Sequence, residues 1–296
     1  MSRSVGQGAS GRGASGRGAS GQGASGQGPG TTAVVPLRDG VSGKSRLAAV
    51  LDAASRRRLV RVLARHVVTT LLAADGIDRV VVVTADPEFT RETLAGLEVE
   101  VLEQPADRPG LNAALEHARE VLAADAGAAG TGAADAPGPD AVGPDTSGPD
   151  PLGADPLGAD AVGPPKPRLL VAHADLPALT PADVTALLAE QAPVVVATDR
   201  YRSGTNLLLV PYETEVSSLS TAGKVRNPGL EGEVGFRFRF GAGSLAAHLA
   251  EADARGLEAS VVDRPGTAVD LDTADDWSQL PPEVRDAVRH EVPELL

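Results

Sequence analysis

Residues 79–84 read RVVVVT, four consecutive valines between an arginine and a threonine. β-Branched side chains on both faces leave no face for water, which is the pattern of a strand inside a parallel sheet covered on both sides. Comparable runs occur at 31–36 (TTAVVP), 97–102 (LEVEVL), 168–172 (RLLVA), 193–198 (PVVVAT), 206–211 (NLLLVP) and 259–263 (ASVVD). Helical periodicity fills the gaps. Leu59, Val62, Leu63, His66, Val67 and Thr70 share one face of a helix expected within 45–73 and broken near 52–55. Further helices are expected at 87–95, from Gly110 to about 122, from Pro181 to 190, at 244–253 and from Thr273 onward; a proline suits a first helical turn, where its missing N–H costs nothing. Strands alternating with helices predict one α/β domain, doubly wound and Rossmann-like, its mostly parallel sheet carrying helices on both faces.

Two stretches stand apart. Residues 5–30 repeat a Gly-x-Gly-Ala-Ser unit with a period of five. Residues 124–166 are almost entirely Ala, Gly, Pro and Asp, with Asp135, Asp140, Asp145, Asp150, Asp155 and Asp160 spaced five apart. A period of five matches neither a helix nor a strand, and such side chains bury too little apolar area to offset the entropy of ordering. The organisation expected is therefore a disordered tail over 1–30 and a catalytic-sized domain over 31–296, interrupted by a disordered insert at 124–166.

Composition closes off several function classes. The formal charge is −13, and the aspartate ladder accounts for about half of it, which speaks against a nucleic-acid binder with its basic stripe. There is no cysteine, which excludes thiolate metal sites, and the five histidines include no close-spaced pair, which argues against zinc. No apolar run approaches the length that spans a bilayer, and the N-terminal residues lack the apolar centre of a signal peptide. The expectation is a cytoplasmic protein with no membrane partner.

In a doubly wound sheet, ligands bind beyond the carboxyl ends of the strands. Arg38–Lys44, Thr84–Asp86 and His173–Asp175 fall there, and five sets of residues along the chain are candidates for chemistry. Arg38, Lys44 and Arg46 flank the loop after the first strand. The segment GVSGKS (40–45) resembles a P-loop, but the first glycine of that motif would fall on Arg38, so the Walker A spacing fails. The remaining readings are a phosphate-facing basic loop and a solvated turn. Asp175 lies at the tip of the 168–172 strand, placed either to hold a hard cation or to cap a turn. Asp270 and Asp272 would share a face if the chain were extended through them, whereas after a turn one of them would cap the helix starting near Thr273. Thr205, Gly241 and Ser244 offer hydroxyl and backbone donors to an anion. Leu111 and Asn112 open a helix, where Asn112 could meet a base edge or merely cap.

Taken in order, VVPLR (34–38) with GKSRL (43–47), VTAD (83–86), GLNAAL (110–115), ADLPAL (174–179), Gly204-Thr205, FGAGS (240–244) with His248, and DLDT (270–273) resemble the phosphoenolpyruvate/2-phospho-L-lactate guanylyltransferases, which act in the biosynthesis of the deazaflavin coenzyme F-420. The resemblance covers nearly all of 31–280 outside the two low-complexity stretches. It implies a single-domain nucleotidyltransferase fold related to the molybdenum-cofactor guanylyltransferases. It also implies transfer of GMP from GTP to phosphoenolpyruvate, or to 2-phospho-L-lactate, with release of pyrophosphate.

Carried over by position, the resemblance implies Mg2+ held by Asp175 and Asp270, with Asp272 as the alternative to Asp270. Thr205, Gly241 and Ser244 would hold the phosphate of the three-carbon acid. Arg38, Lys44, Leu111 and Asn112 would face the nucleotide, and Lys44, Arg46 and Asp175 would carry the catalytic charge. Arg38 stands where the family usually has lysine, which keeps the charge but not the geometry. A homodimer is compatible with such a domain, and the oligomeric state stays open. The competing readings are a nucleotidyltransferase for another phosphorylated acceptor, such as the molybdenum cofactor, and a non-catalytic nucleotide-binding scaffold.

Overall fold

Strand β1 (Thr31–Leu37) alternates its side chains across the sheet, sending Ala33, Val35 and Leu37 to one face and Val34 to the other. That alternation, repeated in each strand, builds two separate apolar layers. The computed structural model describes residues 30–38, 44–130, 167–212 and 235–295, with 126–130 described by backbone alone. The tail over 1–29, most of the 124–166 insert and residues 213–234 lie outside the described residues.

After β1, a short 3-10 turn (Ser45–Ala49) leads to helix α1 (Ala53–Leu72), whose N-cap Asp52 accepts from Ser55 N–H at 2.7 Å. The expected break near 52–55 is this cap. Then follow β2 (Ile77–Thr84), α2 (Pro87–Thr93), β3 (Glu100–Glu103), α3 (Leu111–Gly130) and β4 (Arg168–Ala172). The second half holds α4 (Pro181–Leu188), β5 (Val194–Thr198), β6 (Thr205–Pro211), α5 (Ser244–Ala254), β7 (Ala259–Val262), α6 (Ala274–Gln279) and α7 (Pro282–Glu291). Helix α3 continues well past the end expected near 122, because the alanine-rich run that follows has high helix propensity.

The described strands form one seven-stranded sheet in the order β3-β2-β1-β4-β6-β5-β7. All pairings are parallel except those of β6, which runs antiparallel to both β4 and β5. Sequence pattern does not reveal this reversal, since a fully buried strand reads alike in either direction. The short β5–β6 connection forces it: six residues between strand ends suffice for a hairpin, whereas a parallel crossover needs a dozen or more. The reversal matters for function. It puts the first residue of β6, Thr205, at the same end of the sheet as the carboxyl ends of β1 and β4.

One apolar layer packs α1, α2 and α4 on the sheet through Val67, Leu71, Phe89 and Leu187. The other packs α3 and α5 through Leu115, Ala118, Leu245 and Ala252. A third cluster joins Leu47, Leu51, Leu59 and Leu63 to Leu271, Trp277, Val288 and Val292. This cluster draws the 3-10 turn and the first half of α1 against the last two helices. Leu170 sits in the middle of β4 with no exposed surface. Leu170→Ala is expected to cost about 2–5 kcal/mol of unfolding free energy, read as a fall in urea midpoint at unchanged slope.

Candidate functional site

Burial of Leu47 and Leu271 in the third cluster leaves their polar neighbours no choice of direction. Lys44, three residues before Leu47, takes a left-handed backbone conformation (φ 56°), uncommon for a non-glycine residue. Its ammonium lies 2.5 Å from Asp175 Oδ2 and 2.6 Å from Asp272 Oδ1. Asp175 arrives from the turn after β4. Its carbonyl accepts from Leu271 N–H at 3.0 Å, which ties that turn to the aspartate pair flanking Leu271.

Residues 270–272 are not a strand end. Of the two readings left open, extended chain and turn, the hydrogen bond from Asp272 N–H to Asp270 O at 3.1 Å gives the turn, yet neither Asp270 nor Asp272 caps the following helix. Thr273 caps α6, in a capping box with Asp276. Asp276 also accepts from Asp272 N–H at 3.1 Å, so the box holds the turn that delivers Asp272 to Lys44.

The electrostatics are unbalanced. Burial opposes the charge on Lys44, but Asp175 and Asp272 outweigh it and hold its pKa above the ordinary lysine value. Burial likewise opposes charge on Asp175, yet Lys44 and then His173 keep its pKa below the usual carboxylate range. Asp270 is pushed up by burial and by the negative charges of Asp175 and Asp272. One ammonium thus serves three carboxylates. Asp175 Oδ1 is buried without a hydrogen-bond partner among the described residues. A hard divalent cation suits an unpartnered carboxylate oxygen in a site short of positive charge. Among the described residues no group of three or more His, Asp or Glu is placed to hold a metal ion.

The second corner of the site adjoins the first through His173. Its backbone N–H donates to Asn206 O at 3.2 Å, its ring packs on Phe240 at 5.1 Å between centroids, and its Nδ1 stands 4.0 Å from Asp175 Oδ1. Beyond Phe240 the chain turns through Gly241 (φ 135°) and Gly243 (φ 70°), conformations that disfavour a side chain, and enters α5 at Ser244. Thr205 and Ser244 are buried and Gly241 is exposed. Leu245 N–H donates to Ser203 O, which seats the start of α5 beside the start of β6. The three residues expected around an acceptor phosphate therefore meet at one corner.

Residues 235–240 lead into this corner and pair with no strand among the described residues. Side chains from both flanking helices satisfy their backbone instead. From α3, Glu116 accepts from Phe238 N–H, Arg119 donates to Phe236 O, and Asn112 both accepts from Phe240 N–H at 2.9 Å and donates to Phe240 O at 3.0 Å. From α5, Glu251 accepts from Arg237 N–H and His248 from Arg239 N–H. Asn112 is neither a cap nor turned to a base edge here: both ends of its amide are taken up by Phe240. Leu111 is half-buried against the apolar layer of α3. Arg38, just after β1, and Arg46, in the 3-10 turn after Lys44, are both exposed.

Spacing alone gives His173 no role, and His248 enters only beside the FGAGS motif of the family resemblance. The structure puts both inside the site. The spacing of His248 from Ser244, one helical turn on the same face, was the available signal.

A doubly wound sheet with acidic and basic groups at the carboxyl ends of its strands, flanked by a corner of backbone and hydroxyl donors, defines a nucleotidyltransferase. The model of the MobA-like NTP transferase domain matches residues 54–228. A phosphoenolpyruvate guanylyltransferase from Rubrobacter xylanophilus is 35% identical over 256 residues, covering 84% of this chain and 92% of that protein. A 2-phospho-L-lactate guanylyltransferase from Methanothermobacter thermautotrophicus is 27% identical over 252 residues, covering 84% and 83%. Among solved structures, a nucleotidyl transferase from the same genus superposes with a TM-score of 0.51 at 18% identity, over 89% of this chain and 99% of that one, a likeness of fold. The chain belongs to the phosphoenolpyruvate/2-phospho-L-lactate guanylyltransferase family of MobA-like NTP transferases.

Replacing Lys44 by Met strips the site of its one ammonium and leaves Asp175 charged, buried and unpaired. We expect Lys44→Met to destabilise the fold by about 3–5 kcal/mol at pH 7, as breaking a buried pair typically does. Asp175 has a depressed folded-state pKa, so the stability it contributes is present above its unfolded pKa and is lost as pH falls through the folded one. The gap between wild type and variant should therefore narrow below about pH 4, which urea titrations at pH 7 and in that acid range check.

Proposed function

We propose that this protein is a guanylyltransferase that transfers GMP from GTP to the phosphate of phosphoenolpyruvate, giving enolpyruvoyl-2-diphospho-5'-guanosine and pyrophosphate. The observation that carries the reading is the adjacency of two unlike corners: carboxylates around Lys44, and donors around Thr205 and Ser244, joined by His173. The first suits a nucleotide triphosphate with its cation, the second a small phosphorylated acid. The relatives at 35%, 31% and 30% identity are named phosphoenolpyruvate guanylyltransferases, and the 2-phospho-L-lactate enzyme stands further off at 27%. This favours phosphoenolpyruvate as the acceptor.

An acceptor phosphate oxygen, already anionic at neutral pH, attacks the α-phosphorus of GTP. A P–O bond forms to the acceptor, the bond from the α-phosphorus to the bridging oxygen breaks, and pyrophosphate leaves with that electron pair. No general base is required. The obstacle is the approach of two polyanions, so catalysis rests on positioning and charge.

Asp175, with Asp270 or Asp272, would hold magnesium, which when bound supplies charge neutralisation at the α-phosphate. Two of the three hydrogens on Lys44 Nζ are taken by Asp175 and Asp272, which leaves the third for a phosphate oxygen. Arg46 and Arg38, both exposed, meet the departing pyrophosphate. The hydroxyls of Thr205 and Ser244 and the Gly241 turn hold the acceptor phosphate at the start of α5, where the helix dipole favours an anion. Asn112, at the start of α3, acts on the acceptor corner through the Phe240 backbone. Among the described residues no helix is long and apolar enough to cross a membrane, and we place the reaction in the cytoplasm.

Asp175→Asn should lower turnover about a thousandfold, the scale of the several kcal/mol that metal-assisted charge stabilisation supplies, with the circular dichroism spectrum unchanged. Chelation should abolish pyrophosphate release, and added Mg2+ should restore it. Mass spectrometry of the product formed from GTP with phosphoenolpyruvate and 2-phospho-L-lactate in competition identifies the acceptor. Pyrophosphate release with neither acid would overturn the assignment.

A further inference from the structure

His248 is fully buried on α5, yet both of its ring nitrogens are engaged by different parts of the acceptor corner. Nε2 lies 2.9 Å from the backbone N–H of Arg239, and Nδ1 lies 2.9 Å from Thr205 Oγ1. A backbone N–H can only donate, so Nε2 must be the bare nitrogen. A neutral imidazole then carries its proton on Nδ1. Nδ1–H therefore donates to Thr205, and the Thr205 oxygen accepts. A hydroxyl that accepts from one side keeps its own proton for another acceptor.

We infer that His248 is a positioning residue for the acceptor: by donating to Thr205 from Nδ1, it turns the Thr205 hydroxyl into a committed donor toward the phosphate of the bound acid. The inference rests on the reading of the Thr205–Ser244 corner as the acceptor site. The same ring sets the spacing of that corner. It sits one helical turn after Ser244, holds the start of β6 through Thr205, and grips the chain at Arg239, two residues before Gly241. Edge-on packing against Phe240, with ring centroids 4.7 Å apart, fixes the ring plane.

Neutrality of the ring is essential, because an imidazolium would direct a second donor at Arg239 N–H. The surroundings enforce it. Burial, then the charges of His173 and Arg239, push the His248 pKa down to about 4, against the pull of Glu251. The ring thus holds one tautomer throughout the neutral range and takes no proton from the reaction.

The test uses the full chain and steady-state guanylyl transfer at saturating GTP. An asparagine amide reaches the position of Nδ1, and a glutamine amide that of Nε2. His248→Gln keeps an acceptor for Arg239 N–H but loses the donor to Thr205. It should raise KM for phosphoenolpyruvate roughly tenfold, the scale of one lost hydrogen bond, with KM for GTP unchanged. Thr205→Val should do the same, and the double variant should be no worse than either single one. His248→Asn should recover most of the acceptor affinity.

Equal losses for both substrates, additive effects in the double variant, or no recovery in His248→Asn would reduce His248 to a packing residue and overturn the inference. The wild-type protein offers a check that depends neither on the variants folding nor on the assigned reaction. The imidazole 15N shifts of His248 should show Nδ1 protonated and Nε2 bare at pH 7, and the opposite tautomer would refute the arrangement. If the tautomer is as expected but neither acid accepts GMP, the assigned reaction fails and the geometry of the ring stands.

Discussion

The ammonium of Lys44 binds together parts of the chain that lie 131 and 228 residues away, Asp175 at the end of a central strand and Asp272 before the last helices. Buried ion pairs of this kind add little net stability, because removing two charges from water costs about as much as their attraction returns. Their effect is directional. Leu47 and Leu271 are driven into the same apolar cluster, and the polar residues beside them are thereby forced to face each other. Hydrophobic burial brings the segments together, and the charges decide which atoms touch. What results is an acidic site in which one ammonium meets Asp175 and Asp272, with Asp270 beside them.

The acceptor corner is assembled by a different device. Residues 235–240 have no strand partner among the described residues, and their backbone groups are satisfied by Asn112, Glu116 and Arg119 on one side and His248 and Glu251 on the other. A buried backbone group left unpaired costs about 1–3 kcal/mol, so each of these side chains is constrained to its place. The arrangement converts two helices into a clamp on the segment that carries Gly241 and Ser244. It also explains why an asparagine at a helix start, which looks like a cap or a base reader in isolation, is neither: its amide matches a peptide group and binds one.

Strand β6 joins the two corners. It runs antiparallel between β4 and β5 and so brings Thr205 to the edge where Asp175 emerges. His173 then spans the gap, held through its backbone to Asn206 and through its ring to Phe240. The two corners thus lie side by side on one edge of the sheet.

The sequence by itself determined the elements and the class of fold. All seven described strands were legible, because buried strands between amphipathic helices leave a periodic record in the order of apolar residues. It also placed Arg38 and Asp175 at the carboxyl edge, since each follows a strand whose end is a local feature. Direction and partnership were decided only by tertiary structure. The reversal of β6 depends on a hairpin and not on composition. The irregular path of Asp270–Asp272 depends on Leu271 being buried and on Asp276 capping α6 from within. The roles of Asn112, His173 and His248 depend on groups far away along the chain, and a side chain's hydrogen-bond partner across such distances is set by packing, on which local spacing carries no information.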